Sequence, residues 1–227
     1  MAAPRKGTRE RILNAAEKLF AARGYEGTSI RAIVTSSGDT IGSVNYHFGS
    51  KEKLFHEVVR RRYDIIADAR RIRYREAESK SGKNGPSLAA VVDAIVIPYL
   101  ERALCGGKGW ASYTHLIGML LFSPKLYQKT VDSFGDSTTR EFIDWLARAL
   151  PNADSGDVAY AYEFMIGCMV EACMESGVDR VATLTNGRWS ANDFDAVAPR
   201  LVAFVTAGIA EVVKLKRKHG NQKGAVP

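Results

Sequence analysis

Between residues 24 and 50 the chain is punctuated again and again by glycine or a hydroxyl: Gly24, Thr28, Gly38, Thr40, Gly49 and Ser50. Glycine closes a helix by reaching the left-handed conformation, and a serine or threonine oxygen opens one by accepting an orphan amide. Segments held between such signals have room for only two or three turns each. Before them, Thr8 is placed to cap a first helix in which Ile12, Leu13, Ala16, Leu19 and Phe20 follow helical spacing, with Gly24 as a left-handed stop. Thr28 then caps a second helix with Ile30, Ile33, Val34 and Ser37 on one face, ended by Gly38. Thr40 caps a third of about two turns, in which Val44 and Phe48 lie four apart and face inward. Ser50 caps a fourth carrying Leu54, Phe55, Val58, Tyr63 and Ile66.

The rest of the chain keeps the helical period. ESKSGKNGPS (78–87) is the clearest break, and beyond it Leu88, Val91, Val92 and Ile95 share a face until Pro98, which is expected to kink or interrupt that helix. Residues 110–122 read as an apolar helix, and 125–150 as a longer one interrupted near Phe134. Residues 155–176 form a helix apolar around much of its circumference, which therefore needs cover on more than one side. A loop over 178–192 leads to a last helix with Phe194, Val197, Leu201, Val205, Ile209 and Val212. No strand-like alternation is sustained, so the fold class is all-α; 216–227 reads as a disordered basic tail.

Charge divides unevenly along this chain. Residues 1–80 hold 17 Lys/Arg against 10 Asp/Glu, while residues 81–213 hold 10 against 15. A basic first third on an acidic body suits a polyanion-binding module joined to something else, although a solvated surface with uneven charge is the plain alternative. No run approaches the roughly 18 apolar residues of a membrane span, and MAAPRKGTRERIL lacks the apolar core of a signal peptide, so a cytoplasmic protein with no membrane partner is expected. Cys105, Cys168 and Cys173 form no CxxC pair and read as reduced packing residues.

A helix, a glycine turn and a second short helix make a helix-turn-helix, whose second helix enters the DNA major groove by its N-terminal residues. Here those are Ile41, Gly42 and Ser43, with Asn45 one turn on. Gly42 permits close approach, Ser43 and Asn45 can bond base edges, and Ile41 can meet a thymine methyl. Tyr46, His47, Lys51 and Arg31 suit phosphate oxygens. A short helix inside an ordinary bundle has the same spacing. Catalysis by His47 would need partners; His56, His115 and His219 supply no HxxxH spacing and no Ser/His/Asp arrangement is visible, so neither an enzyme, a metal nor a cofactor is expected.

Residues 8–55, with ILNAAEKLFAARGYEGTS and above all NYHFGSKEKLF, resemble the DNA-binding domain of tetracycline-repressor (TetR) family transcriptional regulators. The resemblance implies a three-helix reader at 6–66, a ligand-binding and dimerisation domain at 67–215, a reading helix from Thr40 to His47, and a motif running from Ser29 to Phe48. It implies a homodimer whose last two helices form a four-helix bundle, double-stranded operator DNA as partner, and an unknown small-molecule effector, apolar or amphipathic, that releases the DNA. Two residues depart from the family pattern: Val34 adds bulk at a close helix contact, and Asp39 places a carboxylate near the core edge and near phosphates.

The second half carries no motif. Trp110, Tyr113, Met119, Phe122, Phe134, Phe142, Trp145, Phe164, Met165 and Met169 are candidates for lining an apolar cavity, each with ordinary core packing as the alternative. His115, Glu163 and Glu171 are the polar groups at risk of burial, and His115 and Glu163 join Met119, Phe122, Trp145, Met165 and Met169 as the effector candidates. Gly167, Ala172, Ala203, Ala207 and Gly208 permit the close helix approach a dimer needs.

Overall fold

The computed structural model describes residues 7–121, 123–124, 126–128, 130, 136–174 and 179–215. Four helices make a headpiece: α1 (Thr8–Arg23), α2 (Ile30–Ser37), α3 (Ile41–Phe48) and α4 (Lys51–Lys80). The body follows with α5 (Leu88–Leu100), a π-helical turn (Glu101–Cys105), α6 (Lys108–Leu121), α7 (Asp136–Ala149), α8 (Ser155–Glu171), α9 (Arg180–Leu184) and α10 (Phe194–Val212). There is no strand among the described residues, and no helix there is long and apolar enough to cross a membrane.

Local chemistry sets the headpiece. Ser29, Thr40 and Ser50 each accept the amide three residues on, from Ala32, Ser43 and Lys53, and such a cap contributes about 1 kcal/mol. Gly38 between α2 and α3 sits in the left-handed region at φ 71° and ψ 25°. Two expected caps are different. Gly7, not Thr8, precedes α1 and gives no side-chain cap, while the Thr8 oxygen accepts from Arg11. Thr28 is buried and donates to the carbonyls of Leu19 and Gly24, so it ties down the end of α1 and leaves the capping of α2 to Ser29. Gly24 closes α1 at φ 69°, with ψ at 175° instead of a helical value. Ile12, Ala16 and Phe20 from α1 meet Ile33, Val44 and Phe48, and Phe55 of α4 packs edge-on to Phe20.

The body is a bundle in which α5 is buried along most of its length and touches α4, α7 and α10. Pro98 does not interrupt it. The helix runs on to Leu100 and the wide turn follows at once, so the loss of one amide donor is absorbed by a change of hydrogen-bond register. α8 ends at Glu171, five residues before the expected Ser176, and the loop before α10 contains α9, capped by Asp179. Pro199 lies inside α10, which starts at Phe194 under an Asp193 cap. Cys173 is buried, Cys168 is half-buried and Cys105 is exposed at the π-helical turn, so Cys105 is not a packing residue. Phe134 and the tail at 216–227 lie outside the described residues. The 30-residue α4 belongs to both halves, and crosses without a break the point between residues 66 and 67 where the two domains were expected to part.

Candidate nucleic-acid interface and ligand cavity

α3 presents two unlike sides. Val44 and Phe48 are buried against α1 and α4, which fixes the helix in rotation. The opposite side is bare: Ile41 is exposed, Gly42, Asn45 and His47 are exposed, and Tyr46 is 85% exposed. Together these residues leave one continuous outer face of the helix open to a partner. The Thr40 and Ser43 hydroxyls lie 3.0 Å apart at the N-terminus, where the free amides and the helix dipole favour anions. A Cβ added at Gly42 would meet only Thr40 Oγ1, at 3.6 Å. The fold itself has no need of that glycine.

The flanking cations are placed differently from one another. Arg31 is exposed on α2 beside the Ser29 cap. Lys51 holds its ammonium 4.2 Å from the centre of the Tyr25 ring, a cation–π contact that keeps it at the mouth of α4. Asp39, the residue least like the family pattern, is closed in: its Oδ1 accepts from Arg11 at 2.5 Å, and its side chain is only 5% exposed. The Arg11 hydrogen bond holds its carboxyl below the ordinary range against the opposing effect of burial. Asp39 therefore straps the turn to α1. Val34 is half-buried and packs on the same core.

The headpiece is fastened to the body through α4. Glu17 of α1 is buried, and both its oxygens are used: Arg61 donates at 2.7 Å and Arg62 at 2.6 and 2.8 Å. The Arg62 guanidinium also lies 4.6 Å from the Trp110 ring of α6. On the body side, Arg71 of α4 grips Glu141 of α7 and Arg73 grips Asp93 of α5.

A cavity of about 120 Å³ lies between α4, α5, α6 and α8. Its wall includes Tyr63, Arg70, Tyr99, Tyr113, Tyr162 and Met169. Burial pushes the phenols of Tyr99 and Tyr113 well above their ordinary value and that of Tyr162 up to about 12, so all three are neutral hydrogen-bond donors at neutral pH. Arg70 is 4% exposed, donates Nε to the Ile95 carbonyl at 2.7 Å and Nη2 to the Met169 sulfur at 3.4 Å, and lies over the Phe142 ring.

Of the effector candidates read from the sequence, Met169 lines this cavity. Met119 lines a separate cleft, between the headpiece residues Tyr25 and Phe55 and the body residues Leu116 and Leu120. Trp145 stacks on Tyr74 at 4.1 Å, one layer behind the wall, and Met165 is packed in the core. His115 is half-buried on α6 outside the cavity lining; Glu163 and Glu171 are exposed, and Phe122 lies outside the described residues. Phe164 is exposed too. Tyr113 is in the wall, as its place in the apolar pattern allows. Arg70 was missed, hidden among the charged neighbours of DARRIRYRE, yet a signal existed: Val59, Tyr63, Ile66, Arg70 and Tyr74 fall on one face of α4, and a cation in an apolar stripe is out of place.

Comparison with known proteins agrees with this architecture. Residues 93–208 match the model of the tetracyclin repressor-like C-terminal domain, and residues 12–58 match that of the bacterial regulatory proteins of the tetR family. The chain is similar to the HTH-type transcriptional repressor AcnR of Corynebacterium efficiens, 42% identical over 53 residues that make up 23% of this chain and 28% of that protein. It is 45% identical over 60 residues to the HTH-type transcriptional regulator LmrA of Bacillus subtilis, covering 26% of this chain and 32% of that one. The matched region thus spans less than a third of either relative. In fold, the chain is similar to the fatty acid degradation regulator FadR from Bacillus halodurans, with a TM-score of 0.59 at 12% identity over 91% of this chain and 98% of that one.

Proposed function

Because the chain belongs to the TetR family of bacterial transcriptional regulators, we propose that it is a ligand-responsive repressor. In this reading it binds a pseudopalindromic operator as a homodimer in the cytoplasm and leaves it when a small molecule enters the cavity. The observation that carries the reading is α3, anchored by Val44 and Phe48 and bare from Ile41 through Tyr46 on the side away from the core. Ser43 and Asn45 read base edges; Ser29, Arg31, Tyr46, His47 and Lys51 hold phosphates.

The self-association surface lies on the last two long helices. Tyr160 and Phe164 of α8 and Phe204 of α10 are exposed in the single chain, Phe204 to 69%. At Gly167 and Gly208 no other described residue comes within 4 Å of where a Cβ would stand, which leaves room for a neighbouring helix. A dimer about a two-fold axis sets the two α3 helices against half-sites about 34–36 Å apart.

The coupling is geometric. α6 supplies Tyr113 and Ile117 to the cavity and packs on α1, while α4 supplies Tyr63 and Arg70 and carries Arg61 and Arg62, bound to Glu17. A ligand that spreads α6 from α4 moves the headpiece as a unit, and the paired readers lose their spacing.

Fluorescence anisotropy with genomic fragments tests the reading. A specific fragment is bound at low salt, and Arg31→Glu or Lys51→Glu weakens binding and flattens its salt dependence. Retention of no fragment, or equal binding by the charge-reversed variants, would remove DNA recognition as the function.

A further inference from the structure

Arg70 is a buried cation. Among the described residues no carboxylate pairs with it, whereas its neighbours on α4, Arg71 and Arg73, both have acids. A guanidinium has five N–H donors, and two acceptors are in place, one of them a thioether sulfur and so a weak one. Leaving such a charge in a low-dielectric interior is costly unless an anion arrives. Arg70 shares the cavity wall with Tyr63, Tyr99, Tyr113 and Tyr162, and its charge partly offsets the rise that burial gives their phenols.

A second observation points to the same place. The Tyr99 hydroxyl is buried, lies in the cavity wall and makes no hydrogen bond of ordinary length among the described residues. The Thr114 hydroxyl beside it donates to the Trp110 carbonyl at 3.0 Å, and its pull on the Tyr99 phenol is small against that of burial. A buried phenol donor and a guanidinium with spare donors facing one space ask for an acceptor with negative charge.

We propose that the effector is a small aromatic or branched carboxylic acid whose carboxylate docks on Arg70 and accepts a hydrogen bond from Tyr99. The proposal rests on the chain being ligand-responsive, and it adds the chemistry of the ligand. Size follows from the cavity: about 120 Å³ is close to the roughly 150 Å³ that holds one benzene ring, and well below the roughly 300 Å³ at which drug-sized pockets begin. Ile66, Ile117 and Val170 and the faces of the tyrosines supply the apolar remainder. Glu163, which bears on Tyr127 and Tyr162, is exposed and makes no ion pair with Arg70, so it does not compete for the site.

Calorimetric titration of the full chain with benzoate, phenylacetate and 2-methylbutyrate, each beside its uncharged amide, reads the charge requirement. At least one acid binds, roughly tenfold or more tightly than its amide; Tyr99→Phe weakens that acid roughly tenfold and the amide by less, because a bond to a carboxylate is stronger than one to a neutral carbonyl. Arg70→Met removes the preference for the acid. Because Arg70 also bonds the Ile95 carbonyl, that variant can fail to fold, and then the acid–amide ratio and Tyr99→Phe decide the matter alone. Amides that bind as well as acids, inorganic phosphate binding in place of every acid, or no acid binding at millimolar concentration overturns the proposal. An acid that binds through Tyr99 but leaves operator affinity unchanged removes the ligand-responsive reading and keeps this site. An uncharged compound that enters the cavity and releases the operator, with no acid able to do so, has the opposite meaning.

Discussion

Gly42 and Asp39 show how much one residue decides at the reading end. A methyl at Gly42 meets nothing in the protein closer than ordinary contact, and alanine is the better helix former by up to about 1 kcal/mol. Gly42→Ala is therefore expected to leave thermal stability equal or higher while operator affinity falls by about 1–3 kcal/mol, read by melting and anisotropy on the same sample. An unchanged affinity means that DNA does not approach that backbone closely. Asp39 looked like an intruder near phosphates and is instead the acceptor of Arg11. Its folded pKa is depressed, so the strap contributes stability above the ordinary carboxylate range and loses it as pH falls through the folded value. Wild type should thus be more stable than Asp39→Asn at pH 6, with the gap closing below about pH 4 in urea melts run across pH. A gap independent of pH would mean that the pair contributes nothing through charge.

Among the elements, α4 has the most tasks. It caps itself with Ser50, closes the headpiece core with Phe55, binds Glu17 through Arg61 and Arg62, and sends Arg70 into the cavity. Glu17 is the point where this helix holds α1, and removing its charge leaves two arginines facing a buried neutral group. Glu17→Gln should cost about 3–5 kcal/mol in denaturant unfolding; a loss under about 1 kcal/mol would show that water replaces the carboxylate easily. The N-cap of α3 is a milder case. Thr40→Ala is expected to lose about 1 kcal/mol and to weaken operator binding as well, since the same hydroxyl stands at the reading edge.

For the whole molecule the test is association. Phe204→Glu puts a charge where α10 has an exposed ring, and light scattering at micromolar concentration should then find a monomer of 24.9 kDa with unchanged helicity and weakened operator binding. A dimer that survives the change places the interface elsewhere. At this scale the two halves of the chain differ in what their sequence discloses. The headpiece was legible because its instructions are local: a cap, a glycine and a buried residue four places on act within one or two turns, and NYHFGSKEKLF states them in order. Even there, Ser29 caps α2 in place of Thr28, because which hydroxyl caps and which is buried depends on where α1 ends. By itself the sequence determined an all-helical chain with a short reading helix between two capped neighbours, since those features need only the residues beside them. Only the tertiary structure decided that Arg70, Tyr99, Tyr113 and Met169, up to 99 positions apart, enclose one cavity, because their meeting depends on how α4, α5, α6 and α8 pack.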